Sequence, residues 1–326
     1  MGTHGRGLLL VANSDAGTAA QEALDAALAV LRRHGQVEVA RTGSPDELDD
    51  VLADLGGRRL VVVGGDGSIH AVVAALHRAG DLEGREIGLV PLGTGNDFAR
   101  TLRLPLDPAA AAEVAATGVP RPVDLVVDDC EDGDQVTVNG VHIGAGAAAG
   151  ERGAAWKERL GRIGVGKVNL GRLGYPIGAL QTALRPPTVR VRVEVDGRVV
   201  EDGEHRVLQV AVGNGASVGG GTELTPGARP NDGLVDVLVA TPERTLARLG
   251  YLLRLPFARH GRHREVTLLR GAEVTVTDLR GEGFDCNSDG EIDGPVGRRT
   301  WRVRPSAYAM VVPGTDIESE PGADGD

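Results

Sequence analysis

Aromatic side chains are nearly absent from this 326-residue chain, at 2% of its residues. Its core must therefore be built from Val, Leu, Ile and Ala. Cysteine is as scarce. Cys130 and Cys286 stand too far apart for a Cys-x-x-Cys metal or redox motif, and two cysteines make no disulfide framework, so a reducing cytoplasm is the expected compartment. No apolar run approaches the roughly 20 residues that span a bilayer, so no integral membrane segment is expected. The early run Leu8–Ala12 is too short for the apolar part of a signal peptide and predicts a first strand. Basic excess is missing too, since a net charge of −11 argues against general nucleic-acid binding.

What is present is a turn-rich chain with 49 glycines, long enough for two domains. The first third alternates strand and helix. Strands are expected at Leu8–Ala12, Val37–Arg41, Leu60–Val63 and Ile87–Val90, and helices at Thr18–Arg33 and Pro45–Leu55, the latter capped by Ser44. Such alternation predicts a parallel sheet with ligands at the carboxyl ends of its strands. Near Arg121–Val127 the character changes. Strands are then expected at Val136–Ile143, Val189–Val195, Val207–Val212, Leu234–Val239, Glu265–Leu269, Glu273–Thr277, Thr300–Val303 and Tyr308–Val312. The period-two alternation of Val189–Val195 and Glu273–Thr277 is that of a half-exposed antiparallel sheet. Helical interruptions are read at Ala154–Arg162, Leu170–Leu184 and Pro242–Leu255. The reading is an α/β domain over 1–125, rejoined by about 306–317, a β-rich domain over 126–305, and an acidic, disordered tail over 314–326. The basic stretch Arg254–Arg264 reads first as a solvated loop and helix face, with contact to anionic lipid as the alternative.

Gly64-Gly65-Asp66-Gly67-Ser68 follows one of the strands and leads into a helical stretch, the layout of a phosphate-binding loop. Its carboxylate would repel a bare phosphate, so Asp66 suggests a divalent cation bridging carboxylate and phosphate oxygens. Alone, the loop suits several kinases and also an ordinary turn. A second loop, Pro91-Leu92-Gly93-Thr94-Gly95-Asn96-Asp97-Phe98, follows the next strand.

The two loops in this order resemble the diacylglycerol kinase catalytic family, which includes sphingosine, ceramide and bacterial lipid kinases. The resemblance extends over roughly residues 7 to 313, through Asn13–Gly17, Gly219-Gly220-Gly221, Asn231-Asp232-Gly233-Leu234 and Asp289-Gly290-Glu291. It implies a parallel-sheet α/β domain, an antiparallel β-sandwich domain and ATP between them, near Asn13, Thr42, Gly64, Gly65, Gly67, Ser68, Gly93, Thr94, Gly95 and Asn96. Asp66, Asp97 and Asp124 would organise Mg²⁺. Asp232, with the carbonyls of Arg229 and Leu234, would hold a second, structural Mg²⁺, although an acidic turn is an equal reading. Glu291 is the preferred general base and Asp289 its partner, with the reverse assignment or Asp66 as base left open. The implied reaction is in-line transfer of the γ-phosphoryl group to a lipid hydroxyl, foremost that of diacylglycerol to give phosphatidate. Another lipid alcohol (sphingoid base, ceramide, polyprenol or glycolipid), NAD, and a silent lipid-binding relative are the alternatives. The implied setting is the inner membrane face, met transiently through anionic lipid, by a chain that could form a homodimer.

The chain departs from the family at Asn13-Ser14-Asp15, where Asn-Pro is usual, and at Gly144-Ala145-Gly146-Ala147, where an aromatic and a carboxylate are usual. The second departure bears on the acceptor. Gly161–Val168 imitates a P-loop but lacks its Ser or Thr, and Gly144–Ala149 imitates a dinucleotide fingerprint without the acidic residue that should follow. His70 and His77, on one helical face, and His260 and His263 read as ordinary histidines, because no further ligands cluster beside them.

Overall fold

Continuous apolar strands need cover on both faces, and the first domain supplies it. The computed structural model describes residues 7–14, 18–130, 135–145, 147 and 187–314. Strands β1 (Leu8–Asn13), β2 (Val37–Thr42), β3 (Arg59–Gly64) and β4 (Glu86–Pro91) form a parallel sheet in the order β2-β1-β3-β4. Alternate residues of β1 and β3 enter two separate cores. Leu9, Val11, Leu60 and Val62 pack with α2 (Pro45–Ala53) and α3 (Asp66–Arg78), whereas Leu8, Leu10, Val61 and Val63 pack with α1 (Thr18–His34) and α5 (Pro108–Thr117). Ser44 caps α2 through Glu47 N, as expected. The short α4 (Asp97–Thr101) follows the second glycine loop.

Two long strands carry the chain into the second domain. β5 (Val119–Asp128) and β18 (Arg298–Val312) run antiparallel, and the far end of β18 lies parallel to β4. β18 was expected as two strands. It is one, with a register shift between Arg304 and Tyr308 where Ser306 takes a φ of 52°. That bulge interrupts the side-chain alternation from which strands are read.

The sheet continues from β18 through β15 (Glu273–Asp278) to β8 (Val191–Val195) and β9 (Arg198–Glu201), all antiparallel. A second antiparallel sheet faces it: β14 (Val266–Gly271), β13 (Val235–Ala240), β10 (Gln209–Gly213), β7 (Gly140–Gly144), β16 (Phe284–Ser288) and β17 (Glu291–Val296). Between them lies a valine-rich core with Phe284 and Trp301 as its buried aromatics. The expected strand Val136–Ile143 is divided into β6 (Gln135–Thr137) and β7, because the amides between them turn to a carboxylate instead of the ladder. A small hairpin, β11 (Ser217–Val218) with β12 (Thr222–Glu223), and helix α6 (Thr245–Arg254) complete this domain. No helix among the described residues is long and apolar enough to cross a membrane. The expected helices at 154–162 and 170–184, the P-loop imitation at 161–168, Asp15–Gly17 of the first loop, Gly146 and Ala148–Ala149 of the fingerprint imitation, and the acidic tail lie outside the described residues.

Candidate active site

The carboxyl ends of the parallel strands bring Asn13, Thr42, Gly64 and the two glycine loops to one edge of the sheet. The loops touch backbone to backbone. A Cβ on Gly65 would lie 2.9 Å from Gly93 Cα, and one on Gly93 would lie 2.6 Å from Gly65 Cα. Only glycine at both positions permits that approach. Gly65 caps α3, and its carbonyl takes the amides of Ser68 and Ile69, so the amides of Asp66 and Gly67 are the ones presented without intrahelical acceptors. Beside them a Cβ on Gly67 would meet nothing within 4 Å. Open space, free amides and a helix N-terminus together suit a phosphate.

Two of the expected nucleotide residues are turned inward. The Asn96 side chain accepts from Gly93 N and donates to Gly93 O, both at 2.8 Å, so it closes the second loop on itself. Ser68 Oγ is turned back towards Gly64. Thr94 stands exposed at the loop tip.

The acidic residues are held by backbone amides. Asp66 accepts from Asp97 N and Phe98 N, each at 3.0 Å, which pins the second loop to the first. Asp97 in turn accepts from Gly220 N and Gly221 N in the β11–β12 hairpin, tying the first domain to the second across the cleft. Burial raises the Asp97 pKa, and the charge of Asp66 adds to the rise against the opposing amides of Gly220 and Gly221. A Cβ on Gly95 would lie 3.0 Å from Asp97 Oδ2 and 3.1 Å from Asp66 Oδ2, so these two carboxylates are neighbours.

Asp124 does not join them. Its carboxylate accepts from Gly233 N and from Ser306 N at the β18 bulge. The expectation of one three-carboxylate group is therefore corrected, and among the described residues no three acidic, His or Cys side chains gather to hold a cation. Magnesium is ordinarily held by one or two carboxylates together with substrate phosphates and waters, and the Asp66–Asp97 pair fits that donor set. The turn expected to hold a second cation presents Asp232 to the guanidinium of Arg270, which also reaches Asp236 at 3.2 Å. Leu234 contributes its amide to Asp232 there.

The second half of the site lies on the β16–β17 hairpin. Asp289 and Gly290 form its turn with φ values of 52° and 104°. The Asp289 side chain, 2% exposed, accepts from Val138 N, Asn139 N and Gly140 N at 2.6 to 2.9 Å. His70 Nδ1 donates the fourth bond at 2.9 Å. The other ring nitrogen of His70 lies 3.8 Å from Glu291 Oε2, and the Glu291 side chain is 79% exposed. Asp289 and Glu291 thus stand on opposite sides of one imidazole. His70 is one helical turn beyond Asp66 on α3, so it links the phosphate loop to the hairpin of the other domain.

His70 is the residue that sequence reasoning set aside. Its partners come from residues more than 200 positions away, and helical periodicity showed only that it shares a face with His77. Burial lowers its pKa, but the Asp289 hydrogen bond and the charges of Asp289 and Glu291 outweigh that, and the net shift is upward. A raised folded-state value means that the pair stabilises the fold fully below the ordinary value of 6.5. The contribution is then lost as pH rises through the folded-state value. Melting temperatures measured from about pH 6 to about pH 8 are expected to fall more for the wild type than for His70→Asn, whose amide keeps a hydrogen bond but does not titrate. Equal slopes would remove the imidazole from this role.

Neither cysteine is a nucleophile candidate. Both thiols are free and pushed up to about 12, foremost by burial.

Comparison with known proteins adds a second line of observation. The family model described as the diacylglycerol kinase catalytic domain matches residues 7–127, and that of the YegS C-terminal NAD kinase beta sandwich-like domain matches residues 161–312. A "Probable lipid kinase YegS-like" protein of Pseudomonas aeruginosa (strain UCBPP-PA14) is 31% identical over 93% of this chain and 94% of its own length. A protein of the same description from Xanthomonas campestris pv. campestris (strain 8004) is 32% identical over 71% of this chain and 74% of its own. A "Diacylglycerol kinase" of Staphylococcus carnosus (strain TM300) is 30% identical over 72% and 70%. The crystal structure of a diacylglycerol kinase from Bacillus anthracis str. Sterne superposes with a TM-score of 0.70 at 20% identity. It covers 95% of this chain and 98% of that one, a likeness of fold.

Proposed function

Because the chain belongs to the diacylglycerol kinase catalytic-domain family, in its YegS-like lipid kinase branch, we propose that it transfers the γ-phosphoryl group of ATP to the hydroxyl of a lipid alcohol, diacylglycerol first among them. The observation that carries this reading is the meeting of the two domains at His70. It sets the Asp289-Gly290-Glu291 hairpin within one turn of α3 from the phosphate loop.

In this reading the first-turn amides of α3 and the paired glycine loops hold the triphosphate. Asp66 and Asp97 would hold a Mg²⁺ that arrives with it, and the ion, when bound, neutralises phosphate charge. Asp289 carries four donors, which suits an anchor and leaves Glu291 to accept the hydroxyl proton. His70, oriented by Asp289, keeps the Glu291 carboxylate at the cleft. The transition state of such a transfer is loose, so the protein's contribution is positioning and charge, with no covalent intermediate.

The test is transfer of labelled γ-phosphate to a panel of diacylglycerol, sphingosine, ceramide, undecaprenol, a glycolipid and NAD. The expected result is a labelled lipid, with diacylglycerol the best acceptor. Label in NAD and in no lipid would overturn the reading.

A further inference from the structure

Helix α6 and the loop after it carry a surface that the chemistry at His70 does not use. Between Arg244 and Arg264 lie six arginines and no acidic residue, on a chain of net charge −11. Among the described residues none of Arg244, Arg254, Arg259, Arg262 and Arg264 forms an ion pair, whereas Arg58, Arg59, Arg78, Arg85, Arg299 and Arg302 do. Large apolar side chains stand exposed among these cations: Leu246 at 83%, and Leu253 and Phe257 each at 71%. Leu246 and Leu253 are seven residues apart and share one face of α6. Tyr251, on the opposite face, is buried and bonds Gln209, so the helix is fixed with its apolar stripe outward.

The loop beyond α6 is fixed as well. His260 is buried, donates to the Leu224 carbonyl at 2.8 Å and meets the Tyr251 ring edge-on. Leu224 directly follows β12, and the β11–β12 hairpin is the one whose Gly220 and Gly221 clamp Asp97. The surface is therefore joined through one small hairpin to the mouth of the cleft.

We propose that this surface docks the protein on an anionic lipid bilayer, with Leu246, Leu253 and Phe257 entering the interface and Arg254, Arg259, Arg262 and Arg264 meeting lipid phosphates. Unpaired arginines interleaved with exposed leucine and phenylalanine have the chemistry of that boundary, where apolar side chains insert and long cationic ones remain at headgroup level. Charge complementarity names the occupant as anionic, and a two-fold pairing of this surface with itself would set arginine against arginine. The proposal deepens the lipid-acceptor reading and rests on it only for why the cleft should face a membrane.

The test is sedimentation of the full chain, without ATP, with vesicles of phosphatidylcholine alone or with about one third phosphatidylglycerol. Binding is expected only to the anionic vesicles and should weaken with salt. Arg259→Ser, Arg262→Ser and Arg264→Ser together should lower partitioning roughly 100-fold, at about fivefold per charge. Leu246→Ser, Leu253→Ser and Phe257→Ser should lower it as well. Both triple variants should keep the wild-type melting temperature and turnover of a detergent-dispersed acceptor. Equal binding to neutral vesicles, or variants that bind like the wild type, would overturn the proposal. So would a dimer that these substitutions dissolve, since the surface would then belong to a second copy. Anionic binding through this surface by a protein that phosphorylates no lipid would sink the kinase reading and leave the docking surface standing.

Discussion

Glu291→Gln is expected to lower kcat by about 10²- to 10⁴-fold, the range for loss of a positioned general base, while leaving KM for ATP and the melting temperature close to wild type. The separation follows from exposure. Glu291 is mostly in solvent, and surface substitutions usually change stability by less than about 0.5 kcal/mol. Asp289→Ala should behave differently. It strips the acceptor from three backbone amides and from His70, and each buried donor left unpaired costs about 1–3 kcal/mol. That variant should unfold several degrees early as well as lose activity.

His70 discriminates between structural and positioning roles. His70→Asn places an amide where Nδ1 stood and keeps the Asp289 bond, but gives up the reach to Glu291. If the imidazole positions Glu291, His70→Asn should melt like the wild type at the alkaline end of the pH series, where the charged pair no longer adds stability, and still lose roughly 10²-fold, in kcat more than in KM. Full activity in Glu291→Gln would end the assignment of the base. Full activity in His70→Asn would reduce His70 to a packing partner.

Gly93→Ala should lower kcat/KM for ATP by roughly 10²-fold, the scale of a displacement of about 1 Å in a positioned group. The new methyl would fall 2.6 Å from Gly65 Cα and 2.8 Å from Asn96 Oδ1. Neither neighbour can retreat easily. Gly65 caps α3, and the Asn96 side chain is bonded twice to Gly93 itself. Overpacking of this kind costs about 1–3 kcal/mol and pushes the two loops apart. Gly67→Ala is the informative companion, because its methyl would meet no protein atom within 4 Å. In a helix, alanine is favoured over glycine by about 1 kcal/mol, so the fold should hold or gain. Nucleotide affinity should nevertheless fall if phosphates occupy that open face. Isothermal titration with a non-hydrolysable ATP analogue reads both variants. Unchanged affinity in Gly67→Ala would move the phosphates elsewhere.

Much of this architecture was legible one residue at a time. Alternating apolar runs and helical stretches announced the parallel sheet, because a strand buried on both faces must be apolar throughout. The two glycine loops could be read because close approach of backbones demands glycine at fixed places. Scarce aromatics foretold a core of Val, Leu, Ile and Ala, and the structure makes the core between the two sandwich sheets chiefly valine. These are properties that local sequence determines by itself: which segments pleat, which coil, and where the chain can turn sharply.

The tertiary structure decided what the carboxylates are for. Asp66, Asp97, Asp124 and Asp289 look alike as acidic residues in a sequence, and the family resemblance gathered the first three around one ion. The fold instead gives each a different set of backbone amides, from about 30 positions away in one case and about 150 in another. His70 shows the same limit most sharply. Nothing beside it in sequence marks it, and its meaning arises when a hairpin from the second domain brings Asp289 and Glu291 to its two nitrogens. Local pattern records propensity and spacing, whereas the partner of a buried charge is set by which distant segments pack together.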